Sequence, residues 1–168
     1  MLVPILLTAV GAMMVVAAAH DFTTLTIPNW ISLVLLGLFP PLALSAGLGW
    51  AEVGMHLGVG LGALLIGIAL FAANVVGGGD AKLFAAVALY MGVQALGPFL
   101  IGVTLCGGVL AICALALRWI SNNGVAVYLG RFQHLANARV GIPYGVAIAA
   151  GGLLAFPETP LFVLASMH

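Results

Sequence analysis

The sequence predicts an all-α membrane protein: six transmembrane helices, with a short interfacial helix in the long fifth link. Three observations carry that expectation. Of the 168 residues, 64% are apolar and only 5% charged, against about 25% charged in an ordinary soluble domain. The apolar residues fall into six runs close to the length that crosses a bilayer. The breaks between runs are Gly, Pro and a few charges, so residues 1–168 read as a single transmembrane domain. Four basic and four acidic residues cancel, which leaves no basic face for nucleic acid and makes the lipid bilayer the first partner.

Residues 2–19 are apolar apart from Thr8 and lack a basic start, so they read as a retained helix rather than a cleaved signal. His20 and Asp21 end this run. Pro28 suits the first turn of the next helix, where its missing N–H costs nothing, and Trp30 stands where an interfacial aromatic belongs. The second span covers 30–48, with Pro40-Pro41 expected to kink it or end it early. Gly49-Trp50-Ala51-Glu52 reads as a link to the third span, 53–73. There Gly54, Gly58 and Gly62 recur every four residues and predict close helix contact.

The fourth span opens at Asp80 or Ala81 and closes at Leu96, before Gly97-Pro98. It is short for a hydrocarbon core of about 30 Å, so Asp80 should sit slightly below the membrane surface in a thinned or water-filled recess. The fifth span covers 98–117. Its two cysteines, Cys106 and Cys113, are two helical turns apart, about 10 Å, too far for a disulfide, and read as free thiols. In the polar stretch 118–139, Val125, Leu129, Phe132 and Leu135 share one helical face, which predicts the interfacial helix. The last span covers 140–156 and leads through Pro157-Glu158-Thr159-Pro160 to a short apolar tail.

Odd links and their flanks hold every basic residue, Lys82, Arg118, Arg131 and Arg139, whereas the even links and the tail hold Glu52 and Glu158. By the positive-inside rule the odd links face the cytoplasm and both termini face out, in a multi-pass chain. Asp21 follows the first span and Asp80 the third, so both emerge on that face at similar depth.

That pairing is what gives the chain chemistry. An ionisable residue at the lip of an apolar helix is a functional-site hypothesis by default, and Val75-Val76-Gly77-Gly78-Gly79-Asp80-Ala81-Lys82 supplies one after three glycines. Two neighbouring carboxylates in a low-dielectric recess share a proton. One then takes a proton from water as it attacks a peptide carbonyl, while its protonated partner bonds the carbonyl oxygen. Glycines 77, 78 and 79 let the backbone approach a substrate and expose their N–H groups. The sequence has no Gly-x-Ser-x-Gly elbow, no HExxH and no Cys/His cluster, so no metal and no cofactor is expected.

His20 and His56 read as interfacial polar residues, and Lys82 as a side chain reaching for headgroups. From these residues alone Asp80 is also readable as a helix cap or an ion-coordinating break. Two other functions stay open: a small proton-coupled transporter using the aspartates as a relay, and a noncatalytic assembly partner.

The same residues resemble those of the type IV prepilin peptidases, membrane aspartic proteases with a Gly-x-Gly-Asp motif. Gly77-Gly78-Gly79-Asp80-Ala81-Lys82 is similar to the second catalytic motif of that family, and Asp21 with Ile27-Pro28-Asn29 to the first. Gly141-Ile142-Pro143-Tyr144-Gly145-Val146-Ala147 is similar to its closing segment. The resemblance implies Asp21 and Asp80 as catalytic residues, supported by Gly77, Gly78, Gly79, Lys82, Pro28 and Asn29. It further implies cleavage of the leader from a prepilin or pseudopilin precursor after a glycine. The bifunctional members also carry paired CxxC motifs, absent here, so N-methyltransferase activity is not expected. The compact form resembles the enzymes of Flp or tight-adherence pili. Thr23, Thr24 and Thr26 stand where many members have a basic residue. Association with further copies of itself stays open.

Overall fold

The computed structural model describes residues 2–120 and 141–166. Among them there is no strand, and the elements run α1 (Leu2–Thr24), α2 (Asn29–Ser45), α3 (Trp50–Ala72), α4 (Gly78–Met91), α5 (Leu96–Ile120), α6 (Tyr144–Ala155), a 3-10 turn (Phe156–Glu158) and α7 (Pro160–Ser166). Three of these, α1, α3 and α5, are long and apolar enough to cross a membrane, and α2 and α6 are shorter apolar helices. The expected interfacial helix falls, from residue 121 on, outside the described residues, as do Arg131 and Arg139.

Length divides the helices into two sets. α1, α3 and α5 turn large apolar side chains outward, whereas the 14 residues of α4 and the 12 of α6 are mostly buried. α4 packs against α2, α3 and α6; α6 packs against α1, α4 and α5. Glycine allows this crowding. A Cβ on Gly151 of α6 would lie 2.5 Å from the backbone nitrogen of Val103 on α5, and one on Gly152 would lie 2.7 Å from Val87 of α4.

Several boundaries differ from the sequence reading. α2 continues through Pro40 and Pro41 to Ser45, since neighbouring helices can satisfy the freed carbonyls. Pro28 is the residue before α2 and not in its first turn. The second link is shorter than expected: α3 begins at Trp50, and the Gly49 N–H donates to the Glu52 carboxylate at 2.9 Å, half of a capping box. α4 stops at Met91 because Gly92 turns the chain with φ +57°. Gly97 and Pro98 fall inside the first turn of α5, where proline is tolerated. The apolar tail is the helix α7, whose Leu161 is fully buried.

The glycine stripe on α3 needs correcting. Nothing lies within 4 Å of a Cβ placed on Gly54, Gly58 or Gly62. The face that meets α4 carries His56, Gly60, Ala63 and Gly67, whose alternation of four and three residues follows the helical period. A Cβ on Gly67 would come within 2.9 Å of Ala81, and one on Gly60 within 3.1 Å of Leu89. We therefore expect Gly67→Leu to destabilise the protein by the roughly 1–3 kcal/mol typical of overpacking and so to lower the thermal midpoint measured in detergent. Gly58→Leu should leave it unchanged. Equal midpoints for the two variants would contradict this packing.

Candidate active site

α1 carries Asp21 one turn before its C-terminal end, on the face buried with Leu7, Val10, Met14 and Ala17. A carboxylate only 4% exposed needs donors. One comes from the far end of the sequence: the Gly145 N–H in the first turn of α6 donates to Asp21 Oδ2 at 2.7 Å. The N-terminus of a helix suits a carboxylate, because its first N–H groups lack intrahelical partners and carry the positive end of the macrodipole. Gly145 has to be glycine for this geometry. A Cβ there would fall 2.7 Å from Ile27 Cδ1 and 2.8 Å from Asp21 Oδ2.

Asp80 is the third residue of α4, after Gly77 at the cap position. Its carboxyl leans back on the Gly77 backbone, with Oδ2 only 2.8 Å from where a Cβ on residue 77 would stand. The cap position itself belongs to Gly77, and Asp80 stands in the first turn of the helix. Asp80 is half-buried, and its carboxyl is close enough to Asp21 to feel that residue's charge.

Ile27 stands between the two. It is 8% exposed, touching Gly145 beside Asp21, while a Cβ on Gly79 beside Asp80 would lie 3.1 Å from its own Cβ. Room at Gly77 and Gly79 is therefore filled by Asp80 and Ile27, not held open for a substrate backbone as the sequence suggested. The loop that delivers Ile27 is tightly made. Leu25 adopts φ +54°, a left-handed conformation rare for a bulky residue, and the His20 ring N–H donates to the Thr26 carbonyl at 2.8 Å.

Lys82 also departs from expectation, since its Nζ donates to Asn29 Oδ1 at 2.8 Å and joins the start of α4 to the start of α2. His56 is buried rather than interfacial: its Nδ1–H donates to the Leu89 carbonyl at 2.7 Å near the end of α4. Asp21, Asp80, Lys82 and Asn29 thus share one end of the bundle, and the helix directions put Glu52 and Glu158 at the other. Cys106 and Cys113 are free thiols on α5. Among the described residues no group of three His, Cys, Asp or Glu could hold a metal. Sequence reading gave Ile27 and Gly145 no place at the site, although both lay inside segments it singled out.

A model of the type IV leader peptidase family matches residues 8–112, which include Asp21, the loop to Asn29, and Gly77 to Lys82. The chain belongs to that family. Searches among curated proteins and among solved structures found no match. Membership makes the protein a peptidase. The match ends before α6, so the donor on Gly145 lies beyond it.

If Asp21 is a catalytic group, Gly145→Ala should displace it and lower peptidase activity on the order of a hundredfold, as misplacement of such a group by about 1 Å can, with the protein still inserted. Gly141→Ala, where a Cβ meets nothing within 4 Å, should cleave like the parent in the same membrane assay.

Proposed function

We propose that the protein is an aspartic endopeptidase of the inner membrane that removes the leader from type IV pilin-like precursors of the Flp class. Cleavage follows a glycine at the cytoplasmic face. The observation that carries the reading is the approach of Asp21 and Asp80, from α1 and α4, at one end of the bundle around Ile27. Two such carboxyls share a proton and activate water between them. The ionised member takes a proton from water as the oxygen attacks the scissile carbonyl, and the protonated member hydrogen-bonds the carbonyl oxygen. Collapse of the tetrahedral intermediate breaks the C–N bond, with a proton passed to the departing amine.

Six spans, all enclosing one domain, follow if α2, α4 and α6 cross with the three longer helices. Short inner helices among long outer ones support a recess in which water reaches the aspartates without leaving the bundle. The cytoplasmic assignment draws support from Lys82 at the aspartate end and Glu52 and Glu158 at the other. The cysteines stand seven apart on α5, not in CxxC pairs, which supports peptidase activity without N-methylation. The water-and-two-carboxyls mechanism needs no cofactor.

Asp21→Asn and Asp80→Asn should each abolish cleavage of a prepilin in membranes while the protein remains inserted, because a shared-proton pair fails as a unit. Asp80→Glu should also be poor, since an added methylene moves the carboxyl by about 1 Å. Glu52→Gln, at the opposite end, should be near the parent. Retention of more than roughly a tenth of the activity by Asp21→Asn would remove it from the dyad, being far above the residue expected for a lost catalytic group.

A further inference from the structure

A groove of about 890 Å³ runs along the outside of the bundle between α2, α3 and α4. It begins beside the aspartates, where Gly78, Ala81 and Lys82 line it, and extends along α3 from Phe71 to Leu57. At about 1.5 Å per residue that length is about 21 Å, or roughly four helical turns. Its floor on α4 is Ala81, Ala85 and Ala86, small and buried, the kind of surface on which a second helix packs closely in lipid. Its walls, such as Leu33 and Leu61, are apolar and exposed.

Polar atoms occur at one end only. Asn29 and Lys82 lie at the aspartate end, and Ser32 follows one turn further along α2. Ser32 is 6% exposed and lines the groove, yet its Oγ has no hydrogen-bond partner. A buried hydroxyl without a partner is costly, and a serine in an apolar helix has backbone carbonyls within reach that this one does not use. An acyl chain in the groove would leave it orphaned. A peptide would not.

We infer that this groove seats the membrane-embedded apolar helix of the peptide being cleaved, with Ser32 and Lys82 bonding the stretch of its backbone that unwinds toward the aspartates. The inference rests on the peptidase reading above. A chain in lipid has to be helical to satisfy its own backbone, whereas the scissile bond has to be extended to be attacked. Between the two lie peptide groups with no intrahelical partner. The Ser32 hydroxyl can donate to or accept from them, and the Lys82 ammonium can donate. Beyond that junction the groove offers only apolar contact for about four turns, which is what a helix of this kind presents.

The test uses the full chain in membranes with a prepilin that keeps its apolar helix. A photo-reactive benzoylphenylalanine replaces Leu61 or, as a control on α5, the exposed Ile112. Cross-linking of the precursor's helix from position 61 and not from 112 is expected, and capture of lipid alone from 61 would overturn the inference. Kinetics give a second readout. Ser32→Ala should raise KM about fivefold with kcat little changed, and Ser32→Thr should restore it. Leu61→Trp, at a wall position outside the core, should raise KM for the precursor at least as much. Unchanged KM in both Ser32→Ala and Leu61→Trp would overturn the docking while leaving the peptidase reading intact. Absence of cleavage by the parent protein would instead overturn both.

Discussion

A carboxylate buried among apolar helices has to find a donor before the bundle can settle, and Asp21 finds one in the first turn of α6, the Gly145 N–H. The bond spans 124 residues of sequence. It therefore ties the first helix to one of the last and closes the bundle around α4. The tie is also selective. Only a residue without a Cβ lets the α6 backbone come within hydrogen-bond distance, since the space is already taken by Asp21 and Ile27. The same glycine thus fixes the depth of α6, the position of Ile27 and the orientation of Asp21.

Ile27 converts that tie into a relation between two carboxyls. The loop carrying it leaves α1 through a left-handed Leu25, a conformation that costs on the order of 1–2 kcal/mol in a residue with a Cβ. His20 and Thr24 hold the loop in place by bonds to the Thr26 carbonyl and to each other. Strain of this kind persists only where neighbouring contacts over-determine it. Here the contacts are Gly79 on one side of Ile27 and Gly145 on the other. An apolar wedge next to two carboxyls also lowers the local dielectric, which strengthens the interaction between them.

Much of this was legible in the sequence. Charges are so sparse in an apolar chain that Asp21, Asp80 and Lys82 announce one end of the bundle, and counting the spans between the aspartates is enough to bring them to the same side. Other parts could not be read. A four-residue glycine spacing on α3 looks like a packing stripe, yet with 3.6 residues per turn Gly54, Gly58 and Gly62 lie on the side of the helix away from the contact face, which follows Gly60, Ala63 and Gly67. No signal marks Leu25 as left-handed, because glycine or asparagine would be the residue expected there. Gly145 was visible as part of a segment, but its bond to Asp21 depends on how α6 threads between α1 and α5, and local sequence does not carry that. His56 read as interfacial because a lone histidine in a membrane helix usually seeks water; its partner is a helix-end carbonyl that appears only once α4 is short.

The shortness of α4 raises the question of what fixes Asp80 along the membrane normal. A short helix among longer ones can slide, and lipid supplies no strong restoring force, since apolar side chains meet apolar surroundings at either position. Polar bonds at both ends remove that freedom. At the far end the His56 ring N–H holds the Leu89 carbonyl and the Tyr90 hydroxyl donates to the Leu35 carbonyl, with Phe39 packed against both rings. At the near end Lys82 holds Asn29. α4 is thereby pinned to α3 at one end and to α2 at both. A bond from His56, most of a helix length from the aspartates, then helps set the height at which Asp80 meets Asp21, a coordinate on which the proposed two-carboxyl chemistry, sensitive to about 1 Å, would depend.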